Sequence, residues 1–191
     1  MKSEQLIPGE DDEERIILEQ IRGGQKEVFG LLVKKHQQAV FNMGLSFFRN
    51  GDDASDFAQD VFLKVYRGLD RFEGRSRFST WLYKIAYNTA VNSVSRKKEY
   101  RSLAEDDFVP GGDNPERSAV RSALKDAVCE AVGELPERYR ICIDLFFFYD
   151  RSFKEIEAIT GFPVNTVKSH VFRAKKILRR RLGDFVEGGI E

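Results

Sequence analysis

What this sequence lacks narrows it first. It holds two cysteines, Cys129 and Cys142, and two histidines, His36 and His170. They form no CxxC pair and no zinc-like cluster, which points to reduced thiols carried on helices and to no metal site. No apolar run reaches the ~18 residues needed to span a bilayer, and the N-terminus lacks a basic-then-apolar signal pattern, so a soluble cytoplasmic chain without membrane insertion is expected. Strand signals are nearly absent, and no internal repeat is present. HExxH, phosphate-loop and nucleophile-triad patterns are missing as well; neither enzymatic chemistry nor a cofactor is expected.

Positive and negative residues balance at 31 each, but they are segregated. The first twenty residues carry Glu4, Glu10, Asp11, Asp12, Glu13, Glu14 and Glu19 against Lys2 and Arg15. From Pro163 to Leu182 the chain has Lys168, Arg173, Lys175, Lys176 and Arg179 to Arg181 with no acid. A basic block inside a balanced chain calls for a polyanion, most simply nucleic acid.

Helical periodicity runs through the remainder, and the expected fold is all-α, two small helical domains on a flexible acidic linker. The expected boundaries are an acidic N-terminal segment 1–24, a first domain 25–101, a linker 102–118 and a second domain 119–191. In Gln25 to Phe48, Phe29, Leu32, Val33, His36, Val40, Met43 and Phe47 share one stripe. Gly51 breaks that helix and Asp52 or Asp53 caps the next, which buries Phe57, Val61 and Val65. Residues 70–78 read as a loop, with Ser79 or Thr80 capping "FSTWLYKIAYNTAVNSVSRKK" (Phe78 to Lys98). That helix is unusual: it has rings on more than one face, where a core helix needs one apolar stripe. Residues 102–118, with two prolines, a Gly-Gly pair and mostly acidic charge, read as a linker. Helices resume over 119–133, 136–149, 152–160 and 164–182.

The C-terminal stretch carries the sharpest short-range signal. Ser152 and Glu155 make an S-x-x-E capping box, Gly161 permits a tight turn, and Pro163 suits the first turn of the next helix. A two-turn helix, a glycine turn and a longer basic helix make a helix-turn-helix, whose second helix enters the major groove. Val164, Val167, Val171 and Ile177 or Leu178 pack inward there. Asn165, Lys168, Ser169, Phe172, Arg173 and Lys176 face outward, residue types that hold adenine, guanine edges and the thymine methyl. The alternative is a charged solvated face; an exposed Phe172 among cations weighs against it. Arg179 to Arg181 suit phosphates better than bases.

Four passages together resemble bacterial sigma factors of the extracytoplasmic-function (ECF) group in the sigma-70 superfamily: "DDASDFAQDVFLKVYRGLDRF", "FSTWLYKIAYNTAVNSVSRKK", "LPERYRICIDLFFFYDRSFKEI" and "GFPVNTVKSHVFRAKKIL". The resemblance covers nearly the whole chain. It implies a non-enzymatic, dissociable subunit that binds core RNA polymerase, directs it to promoters and starts melting, in a stress or envelope response. Residues 25–101 would be sigma region 2, binding polymerase and the minus-ten element. Residues 119–191 would be region 4, binding the minus-thirty-five element. It implies that Asp53, Asp56, Gln59 and Asp60, with Phe62, Leu63 and Arg67, form a face docking on the clamp helices of the largest polymerase subunit, and that the C-terminal domain meets the flap of the second-largest. On charge pattern alone that acidic face would read as merely solvated.

For the helix from Phe78 the resemblance implies capture of flipped non-template bases, since rings stack on bases and amides bond their edges. Tyr83 and Asn88 would contact bases, Gly74, Arg75, Ser76 and Phe78 would form a pocket, and Arg96, Lys97 and Lys98 would hold backbone. Trp81, Lys84, Asn88 and Asn92 lie along one stripe; Trp81 is equally suited to core packing. Thr166 and His170 enter the duplex-reading set in the same way. Ser55 stands where the family often has an acid, Glu157 where it has a small residue, and Asn165 and His170 where Gly and Arg are commoner. The family also implies an anti-sigma partner, often membrane-bound. As a flexible coil the seventeen-residue linker would average about 23 Å end to end. The competing reading is a stand-alone operator-binding regulator built on the same helix-turn-helix.

Overall fold

The computed structural model describes residues 10–101, 128 and 130–187, with side chains for 12–95, 128 and 130–183. These residues contain no strand. The helices are α1 (Glu10–Arg22), α2 (Phe29–Phe48), α3 (Gly51–Gly68), α4 (Phe78–Arg101), α5 (Glu137–Phe147), α6 (Phe153–Thr160) and α7 (Val164–Glu187), with 3-10 turns at Lys26–Val28 and Leu69–Arg71. The expected linker lies outside the described residues, as does most of the helix expected over 119–133; residues 130–133 are helical.

The first correction is α1. Its acids hide an amphipathic helix: Ile17, Leu18 and Ile21 recur on one side and bury in the core. Glu14 also turns inward, 6% exposed, because His36 Nε2 and Lys35 Nζ each lie 3.0 Å from its Oε1. Burial pushes the Glu14 carboxyl up, but these two partners outweigh it and hold it below its ordinary value. His36, on the expected buried stripe, is structural: its Nε2 lies 3.0 Å from Glu14 Oε1 and the Phe78 ring centre is 5.7 Å away. The first folded unit thus begins in the acidic segment, ahead of Gln25.

The α2–α3 corner differs from expectation. Arg49 adopts left-handed geometry (φ 55°), and the Asn50 side chain accepts from Asp52 N and Asp53 N, so Asn50 is the cap and Gly51 opens α3. Beyond the corner the two helices approach closely. A Cβ at Gly44 would lie 2.8 Å from Phe57 Cδ1 and 3.0 Å from Ala54 Cα, with Phe57 held in the core and Ala54 on the backbone of α3.

Helix α4 starts at Phe78, two to three residues earlier than a cap at Ser79 or Thr80 implies. Phe78 is only 3% exposed, packed on Phe72 and Trp81, so it belongs to the core and not to a base pocket. The rings on several faces have a packing reason. One side of α4 (Leu82, Ala86, Ala90) sits in the core with α2 and α3; another (Ser79, Thr80, Tyr83) is covered by the C-terminal half. The two halves share one apolar cluster, running from Leu32, Val40 and Leu82 to Leu145, Ile156 and Val171. Ser46 Oγ donates to Asp144 Oδ2 at 2.8 Å, and Tyr149 Oη to the Ala39 carbonyl at 2.9 Å, pinning α5 and its following turn to α2.

Two expectations follow. Gly44→Ala should force α2 and α3 apart and lower stability by about 1–3 kcal/mol, read by urea unfolding. Asp144 offers a pH test. Burial pushes its carboxyl up from 3.8 to about 6, against the lowering pull of Ser46 and Arg140. A raised pKa means the protonated form favours the docked structure: that stabilisation is complete below pH 3.8 and is lost as pH rises through about 6. Asp144→Asn keeps an acceptor for Ser46 without the titration. Its stability relative to wild type should climb between about pH 4 and about pH 7, by at most about 3 kcal/mol. A difference that ignores pH would contradict this.

Candidate nucleic-acid interface

On α3, Phe57, Val61 and Val65 turn inward, which leaves Asp56, Gln59 and Asp60 on the open side and Asp53 half-buried at its start. Asp60 Oδ2 pairs with Lys64 Nζ at 2.7 Å. Leu63 is 54% exposed beside them, and Arg67 is exposed one turn on. Phe62 is 9% exposed and serves packing beneath this face.

Helix α4 presents its second surface. Its 3.6-residue period puts Lys84, Asn88 and Asn92 on one exposed stripe, with the half-buried Trp81 at its head. The indole packs against Phe72, ring centroids 5.0 Å apart, and over Gly68, where even a Cβ would touch it at 3.4 Å. Trp81 is still part-exposed. The loop before α4 bends at Gly74 (φ +73°), and Arg75 and Ser76 project outward, with Arg75 Nε 2.6 Å from Glu73 Oε2. Tyr83 sits about 100° around the helix from Lys84 and is 5% exposed, under Tyr149. Arg96, Lys97 and Lys98 lie on the helical backbone, but their side chains are outside the described residues.

The helix-turn-helix has the expected build. Ser152 Oγ accepts from Glu155 N, and the Glu155 carboxylate accepts from Ser152 N, a complete capping box. Gly161 takes φ +78° at the turn, a backbone state that a side chain would strain. Val167, Val171 and Ala174 bury on the inner side of α7; Asn165, Lys168, Ser169, Phe172, Arg173 and Lys176 are exposed and Thr166 is half-buried. Phe172 is 68% exposed.

His170 is a second correction. It is 8% exposed, with Nδ1 3.7 Å from Cys142 Sγ and its ring against Tyr139 and Phe162. Its place three residues after Val167 puts it on the inward stripe, so it supports the helix and does not face duplex. Burial, then Arg138 and Arg173, hold its pKa below the ordinary value. Burial likewise pushes the Cys142 thiol up to about 12, keeping it protonated.

Glu157 has a role its sequence position did not reveal. Its Oε1 accepts from Val164 N at 3.0 Å, reaching across the turn to cap the start of α7. A carboxylate there satisfies an orphan amide and sits at the positive end of the helix. Glu157→Ala should cost about 0.5–2 kcal/mol in urea unfolding, while Glu157→Gln should retain most of the stability.

An acidic face on α3, a ring-and-amide stripe on α4 and a helix-turn-helix define a two-part helical protein of the DNA-binding class. The model of sigma-70 region 2 matches residues 32–100, and that of sigma-70 region 4 matches 125–178. The RNA polymerase sigma-H factor of Pseudomonas aeruginosa is 34% identical over 188 residues, 93% of this chain and 96% of that protein. The ECF RNA polymerase sigma-E factor of Escherichia coli K12 is 33% identical over 180 residues, 88% and 94% of the two chains. Among solved structures, CnrH in complex with the cytosolic domain of CnrY superposes with TM-score 0.65 at 28% identity, over 89% of this chain and 97% of that one. The sigma factor RpoE in complex with the anti-sigma factor NepR, from Bartonella quintana, shares the fold at TM-score 0.69 and 24% identity, over 81% and 96%. The chain belongs to the sigma-70 family of RNA polymerase sigma factors, in its ECF group. Among the described residues no helix is long and apolar enough to cross a membrane.

Proposed function

We propose that this sigma factor divides promoter recognition between its two exposed DNA-facing surfaces while α3 holds the polymerase. Asp53, Asp56, Gln59, Asp60, Leu63 and Arg67 dock on the clamp helices of the largest subunit, and the C-terminal half meets the flap of the second-largest. Arg75, Ser76, Trp81, Lys84 and Asn88, together with Tyr83, take unpaired bases of the minus-ten element. Asn165, Thr166, Lys168, Ser169, Phe172, Arg173 and Lys176 read the upstream duplex. The observation that carries the reading is the α4 stripe: amides and a lysine exposed in line behind an aromatic edge suit single-stranded DNA and have no use in a packed core.

Each captured base contributes about 1–3 kcal/mol on such a platform, and opening costs a mean of about 1.4 kcal/mol of stacking per step. One or two bases therefore nucleate melting, and polymerase must hold the bubble. The protein itself supplies binding and no covalent chemistry, and it acts in the cytoplasm with the transcription machinery. By likeness to CnrH, solved with part of CnrY, an anti-sigma partner covering the polymerase-binding face is included in the reading.

Run-off transcription with bacterial core enzyme on a promoter library tests the whole proposal. Asn88→Ala should lower open-complex formation by about tenfold, the worth of one captured base, while leaving competition for core unchanged. Arg173→Ala should flatten preference at the upstream element, about 1–3 kcal/mol of discrimination. Tight duplex binding without any initiation would instead support the operator-binding regulator.

A further inference from the structure

A small polar cavity of about 220 Å³ lies where the start of α4 meets the turn after α5. Glu14 of α1, Lys35 of α2, Arg77 and Ser79 at the head of α4, and Arg151 of the turn converge around it. It shares no residue with the exposed Lys84–Asn88–Asn92 stripe. Its walls are fixed, because the two halves pack through one apolar cluster. Ser79 is 7% exposed and the Arg151 side chain 14%.

Donors outnumber acceptors in this cavity. Arg151 Nη1 donates to Ser79 Oγ at 2.9 Å and approaches Glu155 Oε1 at 3.4 Å, while Nε donates to the Tyr149 carbonyl. The other nitrogen of the fork, Nη2, donates to no oxygen or nitrogen among the described residues. Ser79 accepts from Arg151, and among the described residues its own hydroxyl proton goes to none. A buried donor without an acceptor is costly. Water would satisfy the donors but not the charge. Among the lining side chains three cations, Lys35, Arg77 and Arg151, face one carboxylate, Glu14, a formal excess of two positive charges. Glu155 does not line the cavity, and its other oxygen caps α6; Glu13, 3.9 Å from Lys35, is 70% exposed. The field is already felt by Glu14: burial would push its carboxyl up, yet His36 and Lys35 hold it below its ordinary value. The start of α4, whose first turn holds no acid, adds to that field.

We propose that this cavity binds a small phosphate, either inorganic phosphate or the phosphate of a small monoester. A tetrahedral oxyanion presents acceptors in several directions, so it can take Arg151 Nη2 and Ser79 Oγ together. Its charge of about −1.5 to −2 at neutral pH matches the excess of the lining. The cavity is smaller than the roughly 300–1,000 Å³ that drug-sized ligands occupy, which limits the ligand to a phosphate with few attached atoms. Because α2, α4 and the turn after α5 all contribute, bound phosphate stabilises the packed chain by mass action. The inference does not rest on the reading of α4 as the strand-capturing helix.

Isothermal titration of the full chain with sodium phosphate and with glycerol 3-phosphate, at constant ionic strength, tests the site. Both should bind saturably, one per chain, and the urea unfolding midpoint should rise with phosphate and not with acetate. Arg77→Gln and Ser79→Ala should each weaken binding about tenfold, the worth of one hydrogen bond to a charged group. Lys154→Gln, which removes an exposed cation outside the cavity, should leave binding unchanged. Arg77 is itself exposed, so its variant reads the site even where Ser79→Ala loosens the packing. Absence of saturable binding, equal binding of acetate, or binding that survives both substitutions overturns the site. A random-sequence single-stranded DNA pool is the remaining arm. If that pool loses affinity in Arg77→Gln and Ser79→Ala while free phosphate does not bind, these groups hold nucleic-acid backbone and the small-ligand site is overturned.

Discussion

The fold depends on burying α4 from two directions. Leu82, Ala86 and Ala90 close the N-terminal core, and Tyr83 with its hydroxyl neighbours Ser79 and Thr80 receives the C-terminal half. A helix held on one side alone would need one apolar stripe and a solvated remainder. Sandwiched, it has a single narrow side left for solvent, and that is where Lys84, Asn88 and Asn92 stand. The exposed stripe is thus defined by subtraction: packing covers most of the remaining surface among the described side chains.

The same logic orders the C-terminal half. Val167, His170, Val171 and Ala174 occupy the inner side of α7, so Asn165, Lys168, Phe172, Arg173 and Lys176 can only point outward. The start of α7, where a groove-binding helix makes its base contacts, is held by the Glu157 carboxylate reaching from α6. One side chain thus ties α6 to the first turn of α7 across the Gly161 turn. Electrostatics is segregated to match, with exposed carboxylates on α3 and exposed cations on α7.

How far the sequence can be read depends on the range of the contact. Ser152 and Glu155 are three residues apart, so their capping box is legible, as are Gly161, the α7 outer face and the buried stripes of α2 and α3. Where one local signal competes with another, the pattern misleads. The acid run over Glu10–Glu14 obscures the α1 stripe of Ile17, Leu18 and Ile21, although its spacing is present. Two aspartates at Asp52 and Asp53 look like better caps than Asn50, and the family pattern draws His170 into the DNA-facing set although its spacing from Val167 marks it as inward.

The order of helices, the turn chemistry and the identity of the outward-facing residues on α7 are determined by sequence, because each follows from periodicity or capping within a few residues. That Arg151 would meet Ser79, that Tyr149 would cover Tyr83, or that Asp144 would bury against Ser46 was decided by tertiary structure alone. Those partners lie 72, 66 and 98 positions apart in the chain. No local pattern encodes such a pairing, because its energy exists only once segments far apart in the chain have come together.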